Sequence, residues 1–268
     1  MSRVTVLGTG HMGSAMARRL LSQGTDVSVW NRTHGRLTPL IELGATSHDS
    51  PAEAVAGAEV VITALTDGAA VNGILTAAAS GLTDGTVIAE TSTIGPQAVA
   101  ELLGRLPDHV RLVDAPVLGS VPAIEAGSLT ILAGGDEAAV ATVTAALKPL
   151  GTVKHVGPVG SAAAAKLVAN TAMINSLSVL AEVQRLADKL GIEPEVTDRI
   201  LSAGPLSKTL ARRDAEGARF AVALAAKDLR LALSAADLPI TETAAEQLDL
   251  VSATGLGAHD LAVITRRS

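Results

Sequence analysis

The hydrophobic pattern of this 268-residue chain changes once, near residue 160. Before that point, short β-rich runs alternate with stretches of helical periodicity. Strand signals occur at RVTVLG (3–8), DVSVW (26–30), EVVITAL (59–65), GTVIAET (85–91), VRLVDAP (110–116) and LTILAGG (129–135). Helical patterns lie between them, at 12–23, 51–57, 69–79, 96–105 and 136–149. This alternation predicts right-handed βαβ units and a parallel sheet.

From Ser161 onward the pattern is helical only, broken at GIEPE, SAGPL and DLPI. Residues 161–189 predict one helix of about 29 residues, roughly 43 Å long at 1.5 Å per residue. A helix of that length can leave the first domain and form the spine of a second. We therefore predict an α/β domain over 1–160 and an all-helical domain over 161–268, joined by this helix.

Composition narrows the class of protein. Hydrophobic residues make up 48% and charged residues 18%, which indicates a globular chain. The net charge of −6 and the lack of a basic block with aromatics argue against nucleic acid as a partner. The chain has no Cys, begins without a charged leader, and has no unbroken apolar run of about 18 residues. We expect a soluble, cytoplasmic protein with no membrane partner.

A glycine pattern after the first predicted strand indicates the ligand. VTVLGTGHMGSAM contains Gly8-x-Gly10-x-x-Gly13 between a strand and a helix, which is the dinucleotide-binding fingerprint of a Rossmann domain. Gly8 permits the tight turn, Gly10 lets backbone N–H groups approach a pyrophosphate, and Gly13 allows close helix–strand packing. His11 and Met12 lie inside the turn and are candidate cofactor contacts. The alternative is a purely structural glycine turn.

The residues after the second strand indicate which dinucleotide binds. An NAD site usually has Asp or Glu there to accept hydrogen bonds from the ribose hydroxyls. This chain has Asn31, Arg32 and Thr33, with Arg36 nearby. A guanidinium pairs with a 2′-phosphate that a carboxylate would repel, so the sequence predicts NADP(H). The alternative is an exposed loop arginine without a ligand.

Lys166 is the only ionisable side chain between Gly160 and Ala181. Burying an unpaired ammonium is costly, so Lys166 either reaches water at the helix edge or faces a site that uses its proton. The residues alone leave both readings open.

Five motifs occur in order: VLGTGHMGSAMARRL, ETSTIGP, DAPVLGSVPAIEAGSLTILAGG, GSAAAAKLVAN and AAKDLRLAL. They resemble those of the β-hydroxyacid dehydrogenases, the group that contains the 3-hydroxyisobutyrate, tartronate-semialdehyde and glyoxylate/succinic-semialdehyde enzymes. The resemblance spans nearly the whole chain. It implies an N-terminal Rossmann domain, a helical C-terminal domain, and a homodimer or homotetramer formed through the helical half.

The resemblance also implies roles for individual residues. Lys166 matches the family's proton donor and acceptor, and Asn170 matches the amide four residues later, on the same helix face. A lysine acts near neutral pH only when its surroundings lower its pKa from about 10.4. Lys227 matches a lysine at the cofactor or substrate end of the cleft, with Asp228 beside it as a cap or pairing partner. The remaining matches are candidate cofactor contacts, Leu65 and Thr66 on the adenosine side and Ser92 and Thr93 beside the nicotinamide ribose.

One motif departs from the family. The substrate segment commonly carries Ser-Gly-Gly or Ser-Gly-Ser, whose hydroxyl and N–H groups hold a carboxylate, whereas this chain has Leu118, Gly119 and Ser120. An isobutyl group replaces the first hydroxyl, so the departure leaves two alternatives: a larger or more apolar substrate, or a different geometry for binding the oxyanion.

The sequence is compatible with three functions. The first is an NADP(H)-dependent reductase or dehydrogenase acting on a small hydroxy acid or semialdehyde. The second is an imine reductase of the same architecture, in which Asp or Tyr usually replaces the lysine. The third is a non-catalytic NADP(H)-binding module, and the presence of both Lys166 and Asn170 argues against it. The six histidines are scattered and no Cys is present, so no metal site is expected.

Overall fold

The computed structural model describes residues 3–266. The chain divides into two compact units, the first ending at Lys166 and the second beginning at Leu167. The division lies inside a single long helix that begins at Ser161, next to the predicted domain boundary at 160/161.

The first unit is built on a nine-stranded sheet. Its strands are β1 (Arg3–Leu7), β2 (Asp26–Trp30), β3 (Thr46–Ser47), β4 (Val60–Thr63), β5 (Val87–Glu90), β6 (Arg111–Asp114), β7 (Val117–Leu118), β8 (Leu129–Gly134) and β9 (Gly151–Gly157). The order is β3-β2-β1-β4-β5-β6-β8-β7, and β9 pairs with β8. Pairing is parallel from β3 to β6, and β8 then runs antiparallel to β6 and β7.

Seven helices connect these strands: α1 (His11–Ser22), α2 (Thr38–Ile41), α3 (Pro51–Val55), α4 (Gly68–Ala78), α5 (Gly95–Leu103), α6 (Val121–Glu125) and α7 (Glu137–Leu147). Three of them are capped by the side chain immediately before the helix, which accepts a backbone N–H of the first turn. These caps are Ser50 for α3, Asp67 for α4 and Asp136 for α7.

The central strands are apolar on both faces because helices cover the sheet on both sides. In β4, Val60 and Ile62 pack into the core with α1 and α7, whereas Val61 packs into the core with α3, α4 and α5. The period of two along a strand assigns alternate residues to opposite faces. Ala, Val, Leu and Ile fill both layers, as expected of a chain with one Trp, one Phe and no Tyr.

The second unit is helical. The long helix α8 (Ser161–Lys189) enters it and is followed by α9 (Pro194–Ser202), α10 (Ser207–Arg213), α11 (Val222–Leu233) and α12 (Pro239–Val251). A π-helical turn (Ser252–Leu256) and a 3₁₀ segment (Leu261–Thr265) close the described chain. Its core is formed by Ile174, Leu177 and Leu180 of α8 with apolar residues of α10, α11 and α12.

The predicted fold class, a Rossmann domain joined by a long helix to an all-α domain, is confirmed. Between 161 and 266 the structure contains helices and one isolated bridge, Ala221 to Asp260. The predicted parallel sheet holds from β3 to β6 and between β8 and β9, but β8 runs antiparallel to β6 and β7. The connection from β7 to β8 (119–128) is shorter than the dozen or more residues that a parallel crossover needs. Strand β9 was missed because it is an exposed edge strand with polar residues. Strands β3 and β7 were missed because each has only two residues.

Within residues 3–266, α8 is long and apolar enough to cross a membrane by length and composition alone. The core helix of a soluble protein meets the same criterion, and α8 carries the core residues just named.

Candidate active site

The strand order of the first unit creates a crevice at the carboxyl end of β1. The chain leaves β1 toward β2 on one side and continues to β4 on the other, so the helices that follow β1 and β4 lie on opposite faces. The predicted site residues of this unit follow the carboxyl ends of β1, β2, β4, β5 and β6. Parallel strands end at one edge, so the sheet brings these segments together.

The glycine-rich turn has the geometry that a pyrophosphate requires. Gly8 has φ of +95°, and a Cβ there would come within 2.6 Å of Ala64 O. A Cβ on Gly13 would overlap the Gly8 carbonyl, so both positions require glycine. Gly10 is the N-cap of α1 and supplies no side-chain acceptor, and a Cβ there would meet no atom within 4 Å. The first turn of α1, beginning at His11 and Met12, contains no acidic residue that would repel a phosphate from the N-terminus of the helix.

Asn31 connects this turn to the loop after β2. Its Oδ1 accepts the Thr9 N–H at 3.2 Å, and its Nδ2 donates to the Thr33 carbonyl at 3.0 Å. The Asn31 amide therefore links the glycine-rich turn to the loop after β2. Arg32 and Thr33 are both exposed at the surface of that loop.

Two further candidate cofactor segments are connected to each other. The Leu65 N–H donates to Ser92 Oγ at 2.9 Å, joining the loops after β4 and β5. Thr66 Oγ1 donates to Oδ2 of Asp67, the residue that caps α4. Thr93 follows Ser92 and is only partly buried.

Sequence reasoning missed the carboxylate beneath these loops, Glu90 at the end of β5. Its side chain is 1% exposed; it accepts the Ser92 N–H at 2.6 Å and also the Thr63 hydroxyl. Burial raises the pKa of Glu90 to about 7, against the opposing effect of these hydrogen bonds, and nearby Asp114 raises it further. An acidic residue ending an otherwise apolar strand was the available signal in the sequence.

The substrate segment and the lysine are in contact. Lys166 Nζ donates to the Val117 carbonyl at 2.8 Å. Leu118 is partly buried and pairs across β7 and β8 with Thr130. Gly119 has φ of +131°, and a Cβ there would come within 2.8 Å of Leu129, so glycine is required. Ser120 is the N-cap residue of α6, although its side chain makes no capping hydrogen bond.

The remaining predicted residues belong to the second unit and share one carboxylate. Asn170 is 6% exposed, and its Nδ2 donates to Oδ2 of Asp228 at 2.6 Å. Lys227 Nζ lies 2.8 Å from Oδ1 of the same Asp228, which is buried. Asp228 therefore pairs with both predicted residues. Lys166 and Asn170 are four residues apart on α8 and face the same side of the helix.

Comparison with known proteins gives the family. The model for the NAD binding domain of 6-phosphogluconate dehydrogenase matches residues 3–160. The chain is 32% identical to glyoxylate/succinic semialdehyde reductase 1 of Arabidopsis thaliana, over 97% of this chain and 96% of that protein. The chain belongs to the β-hydroxyacid dehydrogenase family.

Solved structures agree with this assignment. A Mycobacterium tuberculosis 3-hydroxyisobutyrate dehydrogenase structure with L-serine has a TM-score of 0.87 at 26% identity, covering 99% of this chain and 98% of that chain. An imine reductase from Pseudomonas sp. has a TM-score of 0.67 at 25% identity, covering 98% of each chain. As a member of this family, the protein is an oxidoreductase with an NAD-binding domain. No group of three or more His, Asp or Glu side chains within residues 3–266 could hold a metal ion.

Replacing Glu90 by Gln is expected to change how stability depends on pH. The pKa of about 7 lies above the ordinary value of 4.5, so between these values the folded state holds a proton that the unfolded state has lost. The free energy of unfolding of the wild type therefore falls as pH rises from 4.5 to 7, by roughly 3 kcal/mol from Glu90. In Glu90→Gln this decline should largely disappear, as measured by urea unfolding at pH 5 and pH 8.

Glu101→Gln, at an exposed position of α5, is the control and should keep the wild-type decline. An unchanged decline in Glu90→Gln would show that Glu90 ionises at its ordinary pKa.

Proposed function

We propose that this protein is an NADP(H)-dependent reductase, or the reverse dehydrogenase, in which Lys166 transfers the proton. The observation that carries the proposal is the 2.8 Å hydrogen bond from Lys166 Nζ to the Val117 carbonyl. It holds the ammonium against the segment that matches the family's substrate loop, at the sheet edge where the glycine-rich turn also lies.

The residues present fit a dinucleotide. Gly8 and Gly13 permit the tight turn and its packing, and Gly10 leaves open space at the N-terminus of α1 for the pyrophosphate. The joined loops at Leu65 and Ser92 follow the carboxyl ends of neighbouring strands of the same sheet. When bound, the cofactor supplies the hydride, while the protein supplies orientation and electrostatics.

The proton is handled by the protein. In the reductive direction, Lys166 Nζ gives a proton to the carbonyl oxygen, and in the oxidative direction it takes that proton back. Asn170 cannot titrate. Because Asp228 accepts from its Nδ2, the Oδ1 atom of Asn170 is the part of the amide that can receive a hydrogen bond from a substrate hydroxyl.

NADP(H) is proposed over NAD(H) because of the loop after β2. Arg32 and Thr33 are exposed there, and Asn31 occupies the place where an NAD enzyme usually has a carboxylate. An arginine at this position can pair with the 2′-phosphate through two parallel hydrogen bonds.

Arg32→Ala is expected to weaken NADPH binding about 10- to 100-fold, because one charge-assisted contact to the 2′-phosphate is lost. NADH binding should change less than about 2-fold. Dissociation constants from the fluorescence of the reduced cofactors measure both effects. Arg18→Ala, at an exposed position of α1, is the control. Equal losses for both cofactors in Arg32→Ala would contradict the proposed selectivity.

The substrate proposed first is a small semialdehyde or hydroxy acid, as in the glyoxylate/succinic semialdehyde reductase relative. A second candidate is a cyclic imine, favoured by one specific observation. Leu118 places an isobutyl group where the family's substrate segment usually offers a hydroxyl to a carboxylate, and imine reductases share this fold. Lys166 favours the first candidate, because imine reductases usually carry Asp or Tyr at that place.

Lys166→Ala is expected to lower kcat by about 10²- to 10⁴-fold, since the general acid is removed. NADPH binding should stay within about 2-fold of the wild type. The assay is NADPH oxidation at 340 nm with glyoxylate, succinic, methylmalonic and tartronic semialdehydes, and one cyclic imine.

Turnover of an acid aldehyde that is lost in Lys166→Ala would support the hydroxyacid dehydrogenase. Turnover of the imine alone would support the second candidate. NADPH binding without turnover of any carbonyl or imine would favour a non-catalytic module.

We further propose a homodimer or homotetramer formed through the helical unit. Val168, Val179 and Leu186 are 72%, 42% and 57% exposed. Their spacings of 11 and 7 residues place them on one face of α8 at 3.6 residues per turn. Leu190 and Leu250 of the same unit are also exposed. An exposed apolar stripe of this kind is typical of an interface between protein chains.

Light scattering after gel filtration, in buffer without detergent, is expected to give a multiple of the 26.9 kDa chain mass. Replacing Val168 and Leu186 together by Lys should shift the mass toward the monomer, because two charges would then be buried in the interface. Ile41→Lys, at an exposed apolar position of the first unit, is the matched control. A wild-type monomer would contradict the proposed assembly.

A further inference from the structure

Asp114 contacts the start of the long helix from the end of a strand. It is the last residue of β6 and is 1% exposed. Its Oδ1 accepts the Gly160 N–H at 2.8 Å, and its Oδ2 accepts the Ala163 N–H at 2.7 Å. Both oxygens of one buried carboxylate therefore bind the first turn of α8.

Helix α8 depends on this carboxylate for its cap. The residue before Ser161 is Gly160, which has no side chain to accept the N–H groups that the first turn leaves unpaired. Helices α4 and α7 are instead capped by the adjacent Asp67 and Asp136. Because the cap of α8 comes from β6, it fixes where the helix begins relative to the sheet. A negative charge at this end is also favourable for the helix dipole.

The Asp114 side chain occupies space that is open only because residue 134, its neighbour on β8, is glycine. A Cβ on Gly134, its partner across β6 and β8, would overlap the Asp114 carboxylate. The neighbouring strand places Glu90 directly beside it in register. Burial raises the pKa of Asp114, and the N–H groups of Gly160 and Ala163 oppose that rise.

The segment from Asp114 to Val117 contacts α8 at a second point, the side chain of Lys166. Val117, three residues after Asp114, accepts the hydrogen bond from Lys166 Nζ at 2.8 Å. The backbone of Val117 is itself held by antiparallel pairing with Ile131 of β8. Segment 114–117 therefore binds α8 at two points. Asp114 accepts hydrogen bonds from the first turn, and the Val117 carbonyl accepts one from the Lys166 side chain.

We propose that Asp114 is a positioning residue for Lys166, setting the start of α8 so that the ammonium reaches the Val117 carbonyl and the reacting oxygen. The inference rests on the proposed role of Lys166 as the proton donor. Asp114 acts only through α8. Its loss is therefore expected to affect the proton-transfer step while cofactor binding at the glycine-rich turn stays intact.

Asp114→Asn tests the proposal, because it keeps the shape but removes the charge and one of the two acceptor oxygens. Asp136→Asn is the matched control, since it weakens a helix cap in the same unit on a helix that does not carry Lys166. Three quantities are measured for each variant: kcat with NADPH and the best substrate of the panel, the NADPH dissociation constant by fluorescence, and the pH–rate profile of the reduction.

For Asp114→Asn, kcat is expected to fall about 10- to 100-fold, as for a misplaced catalytic group. The NADPH dissociation constant should stay within about 2-fold. The high-pH limb of the profile should move to lower pH, because a shifted α8 would cost the Lys166 ammonium its hydrogen bond to the Val117 carbonyl, which stabilises the charged form. Asp136→Asn should leave all three quantities within about 2-fold or unshifted. If Asp114→Asn only destabilised the fold, the amount of active enzyme would fall but the high-pH limb of the pH–rate profile would not move.

Three results would overturn the proposal: an unshifted limb in Asp114→Asn, a loss of kcat no larger than in Asp136→Asn, or a parallel loss of NADPH binding. If Asp114→Asn does not fold, Asp114→Glu keeps the charge and both acceptors but moves the helix start. It should then lower kcat with NADPH binding retained. Failure of both variants to fold would assign Asp114 to the fold as a whole and overturn a specific positioning role.

The proposed function is tested separately by Lys166→Ala. If that variant keeps its activity, the proton donor is wrongly assigned. If it loses activity while Asp114→Asn behaves like Asp136→Asn, the proton donor stands and the positioning role fails.

Discussion

The arrangement of the candidate site depends on how the long helix starts. The 29-residue helix α8 begins at Ser161 and is preceded by Gly160, so no side chain at the N-cap position can accept the N–H groups of its first turn. A buried carboxylate at the end of β6 supplies both acceptor oxygens, and a backbone carbonyl three residues later receives the Lys166 ammonium. The strand end therefore sets both the register of the helix and the place of its only charge between Gly160 and Ala181. Such a buried carboxylate is tolerated because its oxygens are paired.

A second buried carboxylate organises the neighbouring strand end. Glu90 accepts hydrogen bonds from Ser92 and Thr63, and Ser92 in turn accepts the Leu65 N–H, so two candidate cofactor loops share one support. Asp228 has the same function in the helical unit, where it pairs with Asn170 and Lys227. In each case a buried acid orients the residues that the family resemblance singles out. An acid held in this way limits the conformations that the residues around a site can adopt.

Several elements were predictable because their signals are local. The glycine-rich turn needs glycines at fixed spacing, and the structure shows why at Gly8 and Gly13. The continuous apolar runs predict buried strands, and the 161–189 pattern predicts α8 with its observed bounds. Edge strand β9 was missed because its residues are largely exposed and give no continuous apolar run. The antiparallel direction of β8 was missed because the hydrophobic pattern of a strand does not report its direction relative to its neighbours. The roles of Glu90 and Asp114 were also missed, because Thr63, one partner of Glu90, lies 27 residues away along the chain and Gly160, one partner of Asp114, lies 46 residues away.

The sequence by itself determined the family, the two-domain class, the dinucleotide turn and the candidates Lys166 and Asn170. These properties depend on residue type, spacing and periodicity, which are read along the chain. Only the tertiary structure decided which polar groups meet: Lys166 with Val117, Asn170 with Asp228, Asn31 with Thr9, and Asp114 with the start of α8. Such pairings depend on strand register and on helix starts set by contacts distant in sequence, and no local pattern records them.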